Sequence, residues 1–162
     1  MAKDATAFGW LVKGWRSRPS TSLRRAWPRP SCWQRTTASR WPFTFAELRN
    51  CDEWPWAEEA YDAVVAVFIQ FADPALRERL FAHMVRTLKP GGVLVLQGYT
   101  PKQLDYKTGG PGVLSHLYSA DLLRDAFASL QTIELVEYES ELNEGAGHAG
   151  RSALVGFVAR KP

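Results

Sequence analysis

The chain is short of cysteine, has no long apolar run and shows no clustered metal ligands. Each shortage excludes something. Two cysteines, Cys32 and Cys51, cannot make a disulfide framework, and neither sits in metal-ligand spacing. The longest apolar run, Ala63 to Ile69, is a strand's length, well below the roughly 20 residues of a spanning helix. The N-terminus carries scattered basic residues but no continuous apolar stretch of the kind a secretory signal needs. A cytoplasmic protein with no membrane partner and no metal is therefore expected. What is present is ordinary globular material: 162 residues, 46% hydrophobic and 23% charged, enough for one domain with a proper core.

The net charge of +3 conceals two unlike halves. Residues 1 to 41 hold nine Lys or Arg against the single acid Asp4, whereas the remainder holds eleven basic and sixteen acidic residues. Five of the seven tryptophans (Trp10, Trp15, Trp27, Trp33 and Trp41) also lie in the first segment. Prolines recur through it and no helical or strand periodicity persists, so residues 1–44 read as an irregular basic segment. Arginine with tryptophan can grip phosphate and stack on bases, which gives one functional reading, a nucleic-acid-binding arm. A membrane-surface arm or targeting peptide is a second, and an unstructured tail is a third. A translation in the wrong reading frame is a fourth, and it is the preferred one.

The fourth reading can be checked within the protein sequence. In the frame that starts on the third base of each codon, Met1-Ala2 forces glycine. Synonymous choice at the remaining bases lets Met1 to Val12 spell Gly-Glu-Gly-Arg-Asn-Gly-Val-Trp-Leu-Ala-Gly. Trp15 to Trp27 can continue as Glu-Val-Thr-Ser-Val-Asp-Phe-Ser-Pro-Ala-Gly-Leu. Ala38 to Thr44 can then run into the in-frame Phe45-Ala46-Glu47-Leu48. A glycine-rich turn opening a helix, followed by a short strand ending in an acid, is the nucleotide-binding half of a Rossmann-like unit. No Gly-x-Gly occurs in the segment as translated.

From Phe45 onward the local signals agree with one another. Tyr61 to Phe68 is a continuous, β-branched apolar run, as in a parallel strand buried on both faces. Asp73-Pro74 pairs an N-cap with proline at the first helical position. Leu76, Leu80, Met84 and Leu88 follow at helical spacing, predicting an amphipathic helix over 74–88 that Pro90-Gly91-Gly92 stops. Val93 to Leu96 is a second buried strand, completing a β-α-β unit. Residues 100–118 read as a loop centred on Gly109-Gly110-Pro111-Gly112. Ser119 can cap a helix over about 120–129. Ile133–Leu142 and Ser152–Arg160 are two strands flanking a glycine-rich turn, close enough to form an antiparallel pair. Glu134, Glu137, Glu139 and Glu141 alternate as on a solvated sheet face and lack metal spacing.

Leu88-Lys89-Pro90-Gly91-Gly92-Val93-Leu94 resembles the L-K-P-G-G-x-L turn before the fifth strand of class I S-adenosylmethionine-dependent methyltransferases. Asp62-Ala63-Val64 resembles the opening of their fourth strand. Tyr99-Thr100-Pro101-Lys102-Gln103-Leu104, the closing Glu144-Gly145-x-Gly147-His148-x-Gly150-Arg151 and the out-of-frame Gly-x-Gly-Arg-Asn are similar to a bacterial subgroup near the tellurite- and thiopurine-resistance methyltransferases. The resemblance covers residues 45–162. It implies an α/β fold, a partial Rossmann-like methyltransferase sheet of parallel strands with a terminal antiparallel pair. It also implies S-adenosylmethionine as cofactor and a small-molecule acceptor, with no nucleic-acid partner expected. The reaction it implies is in-line transfer of a methyl group from sulfonium to a nucleophile, which needs chiefly positioning and desolvation.

By the same resemblance Glu47, with Leu48 beside it, stands at the end of the third strand, where its carboxylate can accept a hydrogen bond from the adenine amino group. A solvated loop carboxylate is the plainer reading. Phe68 and Phe71 lie just past the fourth strand, outside whose carboxyl end ligands bind, and can pack on the cofactor or simply fill core. Gln70 can face the same cleft. Tyr99 and His148 can meet substrate, and His148 can serve as a base; a packed tyrosine and a solvated histidine are the alternatives. His83 reads as helix surface and His116 as loop. With the first β-α turn lost, the chain is expected to be a truncated methyltransferase that binds S-adenosylmethionine weakly and exposes a long sheet edge.

Overall fold

The computed structural model describes residues 8–12 by backbone alone and residues 56–143 and 149–162 in full. Glu47, Leu48 and His148 lie outside the described residues. Five strands form one sheet: β1 Phe8–Val12, β2 Tyr61–Val67, β3 Leu88–Tyr99, β4 Gln131–Asn143 and β5 Ala149–Arg160, in the order β1-β2-β3-β5-β4. β2 and β3 are parallel, in register from Ala63↔Val93 to Val67↔Gln97, and α1 (Pro74–Thr87) connects them. β5 lies antiparallel to both β3 and β4, so the parallel unit and the terminal antiparallel pair both form as expected.

The local causes are those the residues suggest. Asp73 Oδ1 accepts from the Leu76 amide at 2.8 Å and Pro74 follows at once, which fixes the start of α1. Leu80, Phe81, Met84 and Thr87 form its buried face. That face meets Phe127, whose ring lies 4.6 Å from Phe81 and 5.3 Å from Phe157 of β5. Ser119 caps α3 (Ala120–Ala126) through its hydroxyl to Leu122 N, 3.2 Å away. Burying an aromatic or leucine side chain in this layer contributes about 1.5–3 kcal/mol, and Leu94, Leu96, Val155, Phe157 and Leu123 are all at or below 1% exposure.

Within the segment read as irregular, residues 8–12 are described as β1, which pairs antiparallel with β2 from Phe8↔Val67 to Val12↔Ala63, so that stretch of the β2 edge is covered. Two expectations are corrected. The Leu88–Gly92 stretch is not a glycine-stopped helix end. Leu88 is itself extended (ψ 137°) and already pairs with Tyr61, so β3 begins there and bulges before Val93. Residues 100–118 also hold more than loop, with a single helical turn α2 (Gln103–Tyr106) and a 3-10 turn at Leu114–His116. In addition, α3 ends at Ala126, β4 begins two residues earlier and ends one later than expected, and β5 begins three residues earlier. Among the described residues no helix is long and apolar enough to cross a membrane.

Candidate functional site

The carboxyl ends of the parallel pair β2 and β3 carry Phe68 and Tyr99, and their rings stack at 4.7 Å with an interplanar angle of 24°. Tyr99, Leu117 and Leu154 form a buried cluster against which Phe68, Leu104 and Leu142 pack. Phe68 holds a left-handed backbone (φ 52°), rare for a bulky residue, while its amide continues the ladder to Gln97 O at 2.9 Å. Strained backbone of this kind is characteristic of ligand sites. Here it turns the chain sharply at the point where an open α/β sheet offers a crevice.

Gln70 explains how the two strand ends stay together. β2 stops pairing with β3 after Val67, and Gln70 replaces the missing peptide group: its Nε2 donates to Tyr99 O at 2.8 Å and its Oε1 accepts from Tyr99 N at 2.6 Å. Nε2 also donates to His116 O at 3.1 Å, and the His116 Nδ1 lies 3.2 Å from Gln70 O. The side chain is 3% exposed and its polar atoms are committed to backbone. Sequence reasoning placed Gln70 at the cleft and missed this clasp, because its partners lie 29 and 46 residues away. Phe71 is half-buried on the same turn. The structure thus brings together Phe68, Gln70, Phe71 and Tyr99. His83 lies away from them on α1, beside Arg86 and Trp56.

A second group of side chains surrounds the loop after β3. Glu139 of β4 is held by Lys102 at 2.5 Å through Oε1, while Arg151 Nε donates to Oε2 at 2.7 Å. Hydrogen bonds from Lys102 first, then from Tyr106 and Arg151, hold its carboxyl at about 2, and the same contacts raise Lys102 and Arg151. Both cations lie over the Tyr106 ring, Lys102 at 5.9 Å and Arg151 at 5.3 Å. Glu137 accepts from the Ala120 amide at 2.8 Å. All four glutamates read as a solvated face are exposed, and Glu137 and Glu139 also tie that face to neighbouring segments. Beneath α1, burial raises the Tyr118 phenol well above its usual range, and its hydroxyl has no partner among the described residues.

S-adenosylmethionine can be tested against these residues. The aromatic strand ends suit an apolar wall for a nucleoside. Its charged amino-acid end and its ribose need polar partners, yet the segments Phe68–Ala72 and Tyr99–Gln103 contain no carboxylate and the Gln70 amide is committed. These two segments therefore fit the apolar side of such a site and carry no carboxylate for its polar end. Among the described residues no group of His, Cys, Asp or Glu is placed to bind a metal.

No family model matches the chain. It is 30% identical over 110 residues to the tRNA N(3)-cytidine methyltransferase METTL2 of Danio rerio, which covers 57% of this chain and 31% of that protein. Among solved structures it is similar to TehB from Haemophilus influenzae, with TM-score 0.52, 18% identity, and 65% of this chain and 37% of that one covered. It is also similar to an S-adenosylmethionine-dependent methyltransferase from Methanosarcina mazei, with TM-score 0.50, 17% identity, and 64% and 60% covered. The chain thus spans about a third of METTL2, 37% of the TehB chain and 60% of the Methanosarcina mazei one. At these levels the structures establish the fold: a mixed α/β sheet of the S-adenosylmethionine-dependent methyltransferase type. Sequence and fold alike resemble class I methyltransferases.

Proposed function

We propose that the chain is by lineage a cytoplasmic, S-adenosylmethionine-dependent methyltransferase of a small molecule, near the tellurite- and thiopurine-resistance subgroup, and that its hold on the cofactor is impaired. The observation that carries the reading is the parallel β2-α1-β3 unit with the Phe68–Tyr99 stack at its carboxyl ends. Bound S-adenosylmethionine would supply an electrophilic methyl group. The chain's own aromatic strand ends would exclude water from it, and Glu47 and Leu48 would stand on the adenine side. The impairment follows from residues 1–44 being the out-of-frame remnant of the glycine-rich turn, so that residues 45–162 remain as the working part of the domain.

Calorimetric titration of the purified 162-residue chain with S-adenosylmethionine tests this. The expected dissociation constant is about 1 mM or weaker, corresponding to roughly 4 kcal/mol of binding. Restoring the third-base frame upstream of Phe45 should bring it into the micromolar range, about 8 kcal/mol. Micromolar binding by the chain as written, or no gain on restoring the frame, overturns the proposal. The likeness to a relative named for tRNA supports a second reading, in which the basic residues 1–41 contact nucleic acid. Salt-sensitive RNA binding that is lost on deleting residues 1–41 would favour it.

A further inference from the structure

An open cavity of about 400 Å³ lies under the loop that follows α2, lined among others by Gln103, Leu104, Lys107, Thr108, Gly110 and Ala149. Its position relative to the strand ends is set by one glycine. A Cβ on Gly110 would fall 2.7 Å from the Tyr99 ring, so the loop backbone lies directly against that ring. Tyr99 stacks on Phe68 at 4.7 Å. The Tyr99 ring therefore touches both the cavity loop and Phe68 of the strand-end site.

The cavity is built by a buried side chain and does not depend on a loose loop. Gln103 is 1% exposed. Its Nε2 donates to Thr108 Oγ1 at 3.0 Å and to Gly109 O at 3.1 Å, and its Oε1 accepts from Ala153 N of β5 at 2.8 Å. Thr108 in turn donates to Arg151 O at 2.5 Å. This clasp fixes the wall in place, so a ligand would meet a formed site and the ordering cost of binding would be small.

The chemistry of the wall is one-sided. Lys107 stands on it in a left-handed conformation (φ 56°), its amide tied to Gln103 O at 3.2 Å. The neighbouring cations Lys102 and Arg151 are both paired with Glu139. Lys107 has no such pairing among the described residues, and none of the described lining residues is a carboxylate. Lys107 is thus the one cationic residue among the described lining, beside the apolar Leu104, Pro111 and Ala149. We propose that this cavity binds a small molecule carrying one carboxylate or phosphate group on an apolar body, with Lys107 receiving the anion. If the methyltransferase reading holds, the inference names the acceptor class: a small organic anion held beside Tyr99.

The test needs no cofactor, so it succeeds or fails independently of S-adenosylmethionine binding. The full chain is titrated with benzoate, phenyl phosphate and neutral benzyl alcohol while the backbone amide resonances are followed. Benzoate or phenyl phosphate should shift the Lys107, Thr108 and Gly110 amides, whereas benzyl alcohol should bind about tenfold more weakly, the loss of one charge-assisted hydrogen bond. Lys107→Asn keeps a residue that tolerates the left-handed backbone and should weaken both anions about tenfold, while Lys107→Arg should retain them. The stronger of the two anions identifies whether carboxylate or phosphate is preferred. Equal binding of benzyl alcohol, shifts confined to residues outside the loop, or anion binding unchanged by Lys107→Asn would each overturn the proposal.

Discussion

Replacing Gln70 by leucine removes three hydrogen bonds from a side chain that is 3% exposed while leaving its volume nearly unchanged. The consequences for its three partners differ. Tyr99 O keeps a second donor, the Tyr118 amide at 3.0 Å, and His116 O is only partly buried. Tyr99 N loses the Gln70 Oε1 acceptor inside a residue that is 1% exposed. A buried donor deprived of its acceptor costs about 1–3 kcal/mol and each further net hydrogen bond about 1 kcal/mol, so the total should be about 3–5 kcal/mol. With a urea dependence of about 1.5 kcal/mol per molar for a chain of this size, the unfolding midpoint should fall by about 2–3 M. Urea titration followed by circular dichroism measures this directly. Gln70→Glu should be worse than leucine at neutral pH, since it turns carboxylate oxygens toward two carbonyls. A midpoint shift below about 0.3 M, or glutamate tolerated better than leucine, would show that Gln70 does not stand in for the missing peptide.

Two further perturbations test the surroundings of the site. Glu139 titrates near 2 in the folded chain against an ordinary 4.5. Its contribution to stability is therefore present above 4.5 and is lost as pH falls through about 2. The difference in melting temperature between the parent and Glu139→Gln should accordingly shrink steadily over that window and narrow with added salt, because the cluster is exposed. A difference that grows on acidification would contradict the assignment. Gly110→Ala places a methyl 2.7 Å from the Tyr99 ring at a backbone φ of 77°, and should destabilise by at least about 1–2 kcal/mol. It should also alter the near-ultraviolet dichroism of tyrosine, and an unchanged spectrum would mean that the loop does not bear on that ring.

Much of this fold is legible because its signals are local. Asp73-Pro74 and Ser119 announce two helices through their own backbone bonding, and the apolar runs after Tyr61 and after Gly92 announce two buried strands. The rule that ligands bind beyond strand carboxyl ends drew attention to Phe68 and Tyr99, which stand at the ends of β2 and β3. What could not be read was tertiary. Leu88 looks like the last apolar residue of a helix, and only its pairing with Tyr61 makes it the first of a strand. Gln70 and Gln103 are unremarkable glutamines until the chain returns 29 and 50 residues later to supply their partners. The glycine loop was visible as a loop, but its approach to Tyr99 depends on the Gln103 clasp. The acidic row was read by alternation, but Glu134 stands three residues before Glu137 in continuous register and so on the opposite face, and alternation takes no account of cations on another element.

β1 carries a wider consequence. Its five residues come from a stretch without strand periodicity, yet they lie against β2 in continuous antiparallel register. Hydrogen-bonded pairing reads peptide groups and is nearly blind to what hangs from them. The rim of this sheet can therefore recruit whatever extended segment lies within reach, while its interior admits only residues of the right shape. The ladder of this sheet and the side chains at its strand ends therefore answer to different demands, the one to peptide groups and the other to shape and chemistry.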